Sequence, residues 1–194
     1  MNRLCVYCGS SFGRRGEYVA AAQEVGRACA QRGLTIIYGG GNVGLMGAMA
    51  DAALHAGGKV IGVIPSAMVQ QERAHRRLTE LIVVENMHQR KQRMADLADG
   101  FVALPGGIGT LEELMEMFTW LQLGIHLKPL ALLNIADYYG PLIGFLQRMR
   151  EEGFLTARRF EQLIVESEVG RMLESMMTAR LVHEPKPIYR KASE

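Results

Sequence analysis

The chain is short of the features that would place it in several broad classes. It has three cysteines, Cys5, Cys8 and Cys29, an odd number, and its N-terminus shows no charged segment followed by an apolar one, so a secreted disulfide framework is not expected. Cys5 and Cys8 form a C-x-x-C, but they close an apolar strand instead of opening a helix, and no second Cys/His pair at zinc spacing accompanies them. They read as small core-facing residues, with no metal site expected. No apolar run reaches the roughly 18–20 residues needed to cross a bilayer. Lys and Arg number 22 against 20 Asp and Glu, for a net charge of +2, and the two signs are interspersed, so neither nucleic acid nor an anionic membrane is an expected partner. The expectation is a cytoplasmic protein.

Two further absences bear on nucleotide chemistry. No glycine-rich loop contains G-K-[ST], which argues against hydrolysis of the P-loop type. Gly39-x-Gly41-x-x-Gly44 matches the dinucleotide fingerprint between a strand and a helix, yet the next strand ends Val63-Ile64-Pro65 without the acid that would hold a ribose. A nicotinamide-dependent oxidoreductase is therefore disfavoured, and no cofactor is expected.

What is present is a regular alternation. Short runs rich in Val, Ile and Leu at 3–8, 34–38, 59–64, 81–84, 101–104 and 128–133 read as strands, several apolar on both faces as buried parallel strands are. Segments of helical period lie between them at 16–32, 43–56, 88–99, 109–124 and 138–151, followed by a short pair at 156–161 and 167–177. With 194 residues, 48% of them hydrophobic, one core is affordable. The fold class expected is α/β: a single-domain Rossmann-like doubly wound parallel sheet flanked by helices over residues 1–180, with an extended tail over 181–194. Residues 66–80 read as a long loop or short helix over a site.

Three strand ends carry loops suited to close backbone approach: Gly9-Ser10-Ser11, Gly39-Gly40-Gly41-Asn42, and Pro105-Gly106-Gly107-Ile108-Gly109-Thr110. In an open α/β sheet ligands bind outside the carboxyl ends of the strands, and the N–H groups that open the following helix favour a phosphate. Gly9, Ser10, Gly40, Gly41 and Asn42 are candidate loop contacts on this ground. Glu112 and Glu113 follow in the first turn of the helix near 109, about 100° apart, so only one can face the pocket. A carboxylate beside a phosphate site is repulsive unless it serves the chemistry. On another strand end, Met87-His88-Gln89-Arg90-Lys91 opens a helix on the same rim, and a guanidinium there can bind phosphate or keep a carboxylate ionised.

PGGIGTLEE at 105–113 resembles the P-G-G-x-G-T-x-x-E motif, and MHQRK at 87–91 the M-x-x-R-K motif, of the Lonely Guy (LOG) family of cytokinin riboside monophosphate phosphoribohydrolases. The likeness extends from CVYCGSS through YGGGNVGLMG to TWLQLGIHLKPLALLN and GFL. It implies hydrolysis of the N-glycosidic bond of adenosine 5′-monophosphate, N6-modified or not, to free base and ribose 5-phosphate. The same resemblance implies Arg90 and Glu113 as the catalytic pair. Met87, Gly106, Gly107, Ile108, Gly109, Thr110, Leu111 and Glu112 are then in the binding motifs, with Gly107, Gly109 and Thr110 on the phosphate. Lys91 and Glu72 would line the substrate site and Thr119 would lie near it, across a dimer interface. The surroundings of Glu72, QQERAHRRLTE, depart from the family's pattern. Some relatives carry the label lysine decarboxylase, but none of Lys59, Lys91, Lys128, Lys186 and Lys191 has the context of a Schiff-base lysine. The competing reading is a non-catalytic nucleotide sensor. Leu111, Leu114, Met115, Met117, Phe118, Leu121 and Leu123 give the helix after Gly109 a face broad enough for both sheet and second subunit, so a homodimer is expected. An apolar wall for an N6 group is sought among Met87, Met94, Leu121 and the 66–80 segment.

Overall fold

The computed structural model describes residues 1–69 and 74–182. Seven strands, β1 (Arg3–Tyr7), β2 (Thr35–Tyr38), β3 (Val60–Pro65), β4 (Glu80–Val84), β5 (Gly100–Ala103), β6 (Leu130–Leu133) and β7 (Leu163–Glu166), form one sheet. Its order is β4-β3-β2-β1-β5-β6-β7 and every pairing is parallel. Helices α1 (Gly16–Gln31), α2 (Gly44–His55), α3 (Met87–Leu97), α4 (Ile108–Leu123), α5 (Gly140–Glu151), α6 (Ala157–Glu161) and α7 (Val169–Thr178) supply the crossovers and the closing layer. The expected doubly wound α/β architecture is what the chain adopts.

The alternation along β1 shows how the two faces are made. Leu4, Val6 and Cys8 enter one core with residues of α1, α2 and α7, while Cys5 and Tyr7 enter the other with residues of α3, α4 and α5. Period-two geometry sends neighbours to opposite faces, and because helices cover both, both must be apolar. The two cysteines of the C-x-x-C thus part company in the core. Burial pushes all three thiols up, Cys29 to about 12, which leaves them protonated and unreactive at neutral pH.

Strand β7 has no counterpart among the expected strands. Leu163–Glu166 lies between two short helices and sits on the sheet edge with only Leu163 fully buried. Four residues carry too little period to separate a strand from helix. Of segment 66–80, read as a long loop or short helix, the described residues carry a single 3-10 turn at Ser66–Met68 after β3, and Glu80 already belongs to β4.

Sheet order fixes where a ligand can sit. Strand connections run toward one edge through β1 to β4 and toward the other from β5, so the order reverses between β1 and β5. At that switch point the loops leave in opposite directions and open a crevice at the carboxyl ends.

Candidate active site

One residue joins three loops at the crevice. The Gly9 N–H, just past β1, donates to Pro105 O at 3.1 Å, and Gly9 O accepts from Leu45 N at 3.0 Å and Met46 N at 3.4 Å. These last two donors open α2, so the amides that might have held an anion there are already engaged by Gly9. A Cβ on Gly44, whose φ is +62°, would overlap the Ser10–Ser11 backbone, which explains the glycine better than phosphate contact does.

Helix α4 differs. Its N-cap is Gly107, with no side-chain cap, and the first-turn N–H groups of a helix have no intrahelical acceptor. Ile108, Gly109 and Thr110 therefore present their amides, with the positive end of the helix dipole, at the rim. Gly106 permits the turn beneath them: a Cβ there would overlap Thr110 Oγ1 and come within 2.9 Å of Gly9 N. Two tyrosines brace the loop from the far side. Tyr138 Oη donates to Gly106 O, and Tyr139 Oη donates to Leu104 O at 2.6 Å.

A cleft of about 320 Å³ lies over this floor, lined by Gly9 and Ser10, Gly39, Gly107 to Thr110, Met87, Arg90, Glu112 and Glu113 among others. That volume is at the lower end of the roughly 300–1,000 Å³ of small-ligand sites.

Arg90 is 6% exposed. Asn86 caps α3 by accepting from Gln89 N at 3.0 Å, and the first turn so fixed turns Arg90 inward. Its Nη2 donates to Gly39 O at 3.2 Å and its Nη1 meets Met87 Sδ at 3.6 Å. Arg90 Nε is buried and has no hydrogen-bond partner among the described residues. A guanidinium carries five donors, so this cleft-lining cation retains unspent donor capacity. Any Cβ at Gly39 would overlap the guanidinium. Glycine at 39 is therefore a condition for Arg90 to occupy its site.

Glu113 is half-buried one turn into α4 and lines the same cleft. Burial pushes the Cys8 thiol up, and the Glu113 charge adds to that effect. The Cys5 thiol feels Glu113 and Arg90 in opposite senses, so both charges stand near the carboxyl end of β1. Glu112 lines the cleft too, against the expectation that only one of the two acids would face it, but its carboxylate is paired. Lys91 Nζ pairs with Glu112 at 2.5 Å and with Glu116 at 3.1 Å, its side chain only 12% exposed. The hydrogen bond to Glu112 is the main cause that raises the Lys91 pKa. The lysine offsets two carboxylates that would otherwise oppose an anion at the start of α4.

The structure thus brings together Gly9, Ser10, Met87, Arg90, Gly107, Ile108, Gly109, Thr110, Glu112 and Glu113. It does not bring in all the expected residues. Of the β2 loop, Gly39 lines the cleft, whereas Gly40 O accepts from His75 N at 3.0 Å and Gly41 bridges to Ala74. Asn42 faces a second hollow beside His75 and Arg77. Lys91 is committed to its two glutamates. Leu111 packs on the core, and exposed Thr119 donates to Met115 O at 2.7 Å. At 1.5 Å per residue, Thr119 lies about 16 Å along α4 from Ile108. Met94 and Leu121 are core, 1% and 4% exposed, whereas Met46 and Met68, the latter from the 66–80 segment, line the cleft. Glu72 lies outside the described residues. Gly39 was missed because its role is steric, and the signal was only its place at the head of a glycine run.

Residues 46–176 match a family model described as "Possible lysine decarboxylase". The chain is 49% identical to the cytokinin riboside 5′-monophosphate phosphoribohydrolase of Rhodococcoides fascians, over 84% of this chain and 82% of that one. It is 44% identical to cytokinin riboside 5′-monophosphate phosphoribohydrolase LOG of Oryza sativa subsp. japonica, over 90% and 79% of the two chains. Among solved structures, the molybdenum cofactor binding protein of Rippkaea orientalis superposes with a TM-score of 0.69 at 22% identity, over 91% of this chain and 97% of that one. The molybdenum cofactor carrier protein of Chlamydomonas reinhardtii does so with 0.69 at 20%, over 91% and 98%. Those two share the fold. The near-half identity to the enzymes spans both helix starts that build the cleft, and the chain belongs to the LOG family of cytokinin riboside 5′-monophosphate phosphoribohydrolases.

Proposed function

We propose that the chain hydrolyses the C1′–N9 bond of adenosine 5′-monophosphate and its N6-modified forms, giving free base and ribose 5-phosphate. The observation that carries this reading is the meeting of Arg90, from α3, and Glu113, from α4, in one cleft beside the uncapped start of α4.

The order of strands sets out the substrate. The α4 amides follow β5, Glu113 stands by β1, and Arg90 reaches Gly39 after β2. The phosphate rests on Gly107, Gly109 and Thr110, and the ribose then lies between Glu113 and Arg90. As the C1′–N9 bond lengthens, positive charge develops on the ribose, and the Glu113 carboxylate stabilises it and takes a proton from the attacking water. The water's oxygen bonds to C1′, the bonding pair leaves with N9, and a proton restores the neutral base. Arg90, a buried cation in the same cleft, complements the charge of the carboxylate and orients it.

A decarboxylase using pyridoxal phosphate is not favoured. Among the described residues no lysine lines the cleft: Lys91 is paired, Lys128 donates to Ala95 O at 2.7 Å, and Lys59 is exposed.

We place the activity in the cytoplasm and in a homodimer. Thr119 is too far along α4 to serve its own cleft, so its contribution would come from a second copy. Sedimentation as a 21.5 kDa monomer at micromolar concentration would remove that role.

The direct test is chromatography of free base after incubating the protein with adenosine 5′-monophosphate and its N6-isopentenyl form. Base release supports the hydrolase; nucleotide binding without release would make the chain a sensor. Gly39→Ala is expected to lower kcat/KM between about tenfold and 100-fold by displacing Arg90, the scale of a small misplacement of a catalytic group. Unchanged kinetics would show that Arg90 can act from elsewhere.

A further inference from the structure

The loop that carries the α4 amides has its carbonyls engaged one after another. Leu104 O accepts from Tyr139 Oη at 2.6 Å, Pro105 O from Gly9 N at 3.1 Å, Gly106 O from Tyr138 Oη, and Gly107 O from Leu111 N at 3.1 Å. Of these four, only the Gly106 carbonyl belongs to a peptide with glycine on both sides, and its donor is a side chain that is 40% exposed. In a trans peptide the C=O and N–H point in opposite directions. The hydroxyl that takes the Gly106 carbonyl therefore aims the Gly107 N–H the other way. Gly107 lines the cleft and neither tyrosine does.

A peptide between two glycines can turn over. The flip rotates ψ of Gly106 and φ of Gly107 by half a turn. Gly107 then moves from φ −91° to about +90° with ψ still at −158°, a region open to essentially no residue but glycine. It would put the Gly106 carbonyl where the amide was, and the negative end of that dipole opposes a phosphate. The turn after β6 holds Tyr138 against this. Ala136 and Asp137 sit there at φ +50° and +57°, a conformation that costs free energy in any residue with a Cβ. Asn134 fastens it, Nδ2 donating to Asp137 Oδ1 at 3.1 Å and Oδ1 accepting from Tyr139 N at 2.7 Å. The Tyr138 ring meets Tyr139 and Tyr18 of α1 edge to face, with centroids 5.0 and 5.6 Å away.

Resting on the hydrolase reading, we propose that Tyr138 is a positioning residue for the substrate's phosphate, its hydroxyl holding the Gly106–Gly107 peptide in the orientation that presents the Gly107 amide to the anion. Without the hydroxyl the flipped loop becomes populated in the free protein. Apparent affinity then falls with the fraction of loop that is competent, while saturating substrate draws the loop back. The loss is one of KM and not of kcat.

Tyr138→Phe removes the hydroxyl and keeps the ring. KM for adenosine 5′-monophosphate is expected to rise about five- to tenfold, within the reach of one hydrogen bond, with kcat within about twofold of wild type. Equilibrium titration with ribose 5-phosphate, which needs no turnover, is expected to weaken by the same factor. Gly107→Ala supplies the second arm. A Cβ at Gly107 meets nothing within 4 Å in the present orientation, whereas the flipped one is closed to alanine. Against Gly107→Ala alone, the double variant is therefore expected to bind ribose 5-phosphate less than about twofold more weakly. An unmoved KM, a loss confined to kcat, or an equal weakening in both backgrounds overturns the role of Tyr138 and leaves the hydrolase standing. Release of no base by wild type overturns the hydrolase reading, and the ribose 5-phosphate titrations still decide the role of the hydroxyl.

Discussion

Glu113→Gln is expected to lower turnover at least ~100-fold while leaving nucleotide affinity within a few-fold of wild type, the scale of one electrostatic or acid/base contribution. The substitution keeps the shape of a half-buried side chain one turn into α4 and removes its charge. Charge matters because the reacting carbon becomes positive only as its bond to the base breaks, so the loss falls on kcat and not on binding. Single-turnover base release and equilibrium titration of the unreactive nucleotide separate the two. A variant that keeps most of its turnover would end the assignment of Glu113.

Arg90→Ala is expected to lower kcat/KM by about 100-fold, the scale of leaving the catalytic carboxylate without the buried cation that positions it. Arg90→Lys is expected to recover little of it. Lysine keeps the charge but has no planar fork, and the contacts in place come from two different guanidinium nitrogens, Nη2 to Gly39 O and Nη1 to Met87 Sδ. Recovery to near wild-type kinetics by lysine would mean that Arg90 acts as a point charge. Far-ultraviolet circular dichroism of both variants guards against a folding defect, since a 6% exposed cation also contributes to packing.

The parts of the site legible in the sequence were those whose function is written in backbone chemistry. The run PGGIGT after an apolar strand announces an uncapped helix start, and α4 opens at Ile108 behind Gly107. Gly39-x-Gly41-x-x-Gly44 has the same appearance and a different use, because Gly9 O occupies the α2 amides and Gly40 and Gly41 hold the chain near Ala74 and His75. No local pattern distinguishes a helix start that faces a ligand from one that faces another loop. The same limit applies to Glu112. Adjacent acids at 112 and 113 signal divergence around the helix, but only tertiary placement shows Lys91 on one of them. Strand β7 escaped for a plainer reason: LIVE at 163–166 is short, and its pairing with β6 is a long-range fact.

The knot at Gly9 has a bearing on how the cleft can vary. The join between β1, β5 and α2 is made by main-chain hydrogen bonds, so it depends on no side-chain donor or acceptor, whereas a Cβ at Gly9, Gly44 or Gly106 would press into it. Loop lengths on either side of the switch point are consequently tied to one another: lengthening one without the others would pull a carbonyl from two amides at once. Diversification of this cleft is thereby directed to the pieces outside the knot, the turn after β3 and the first residue of α3, where the methionines are.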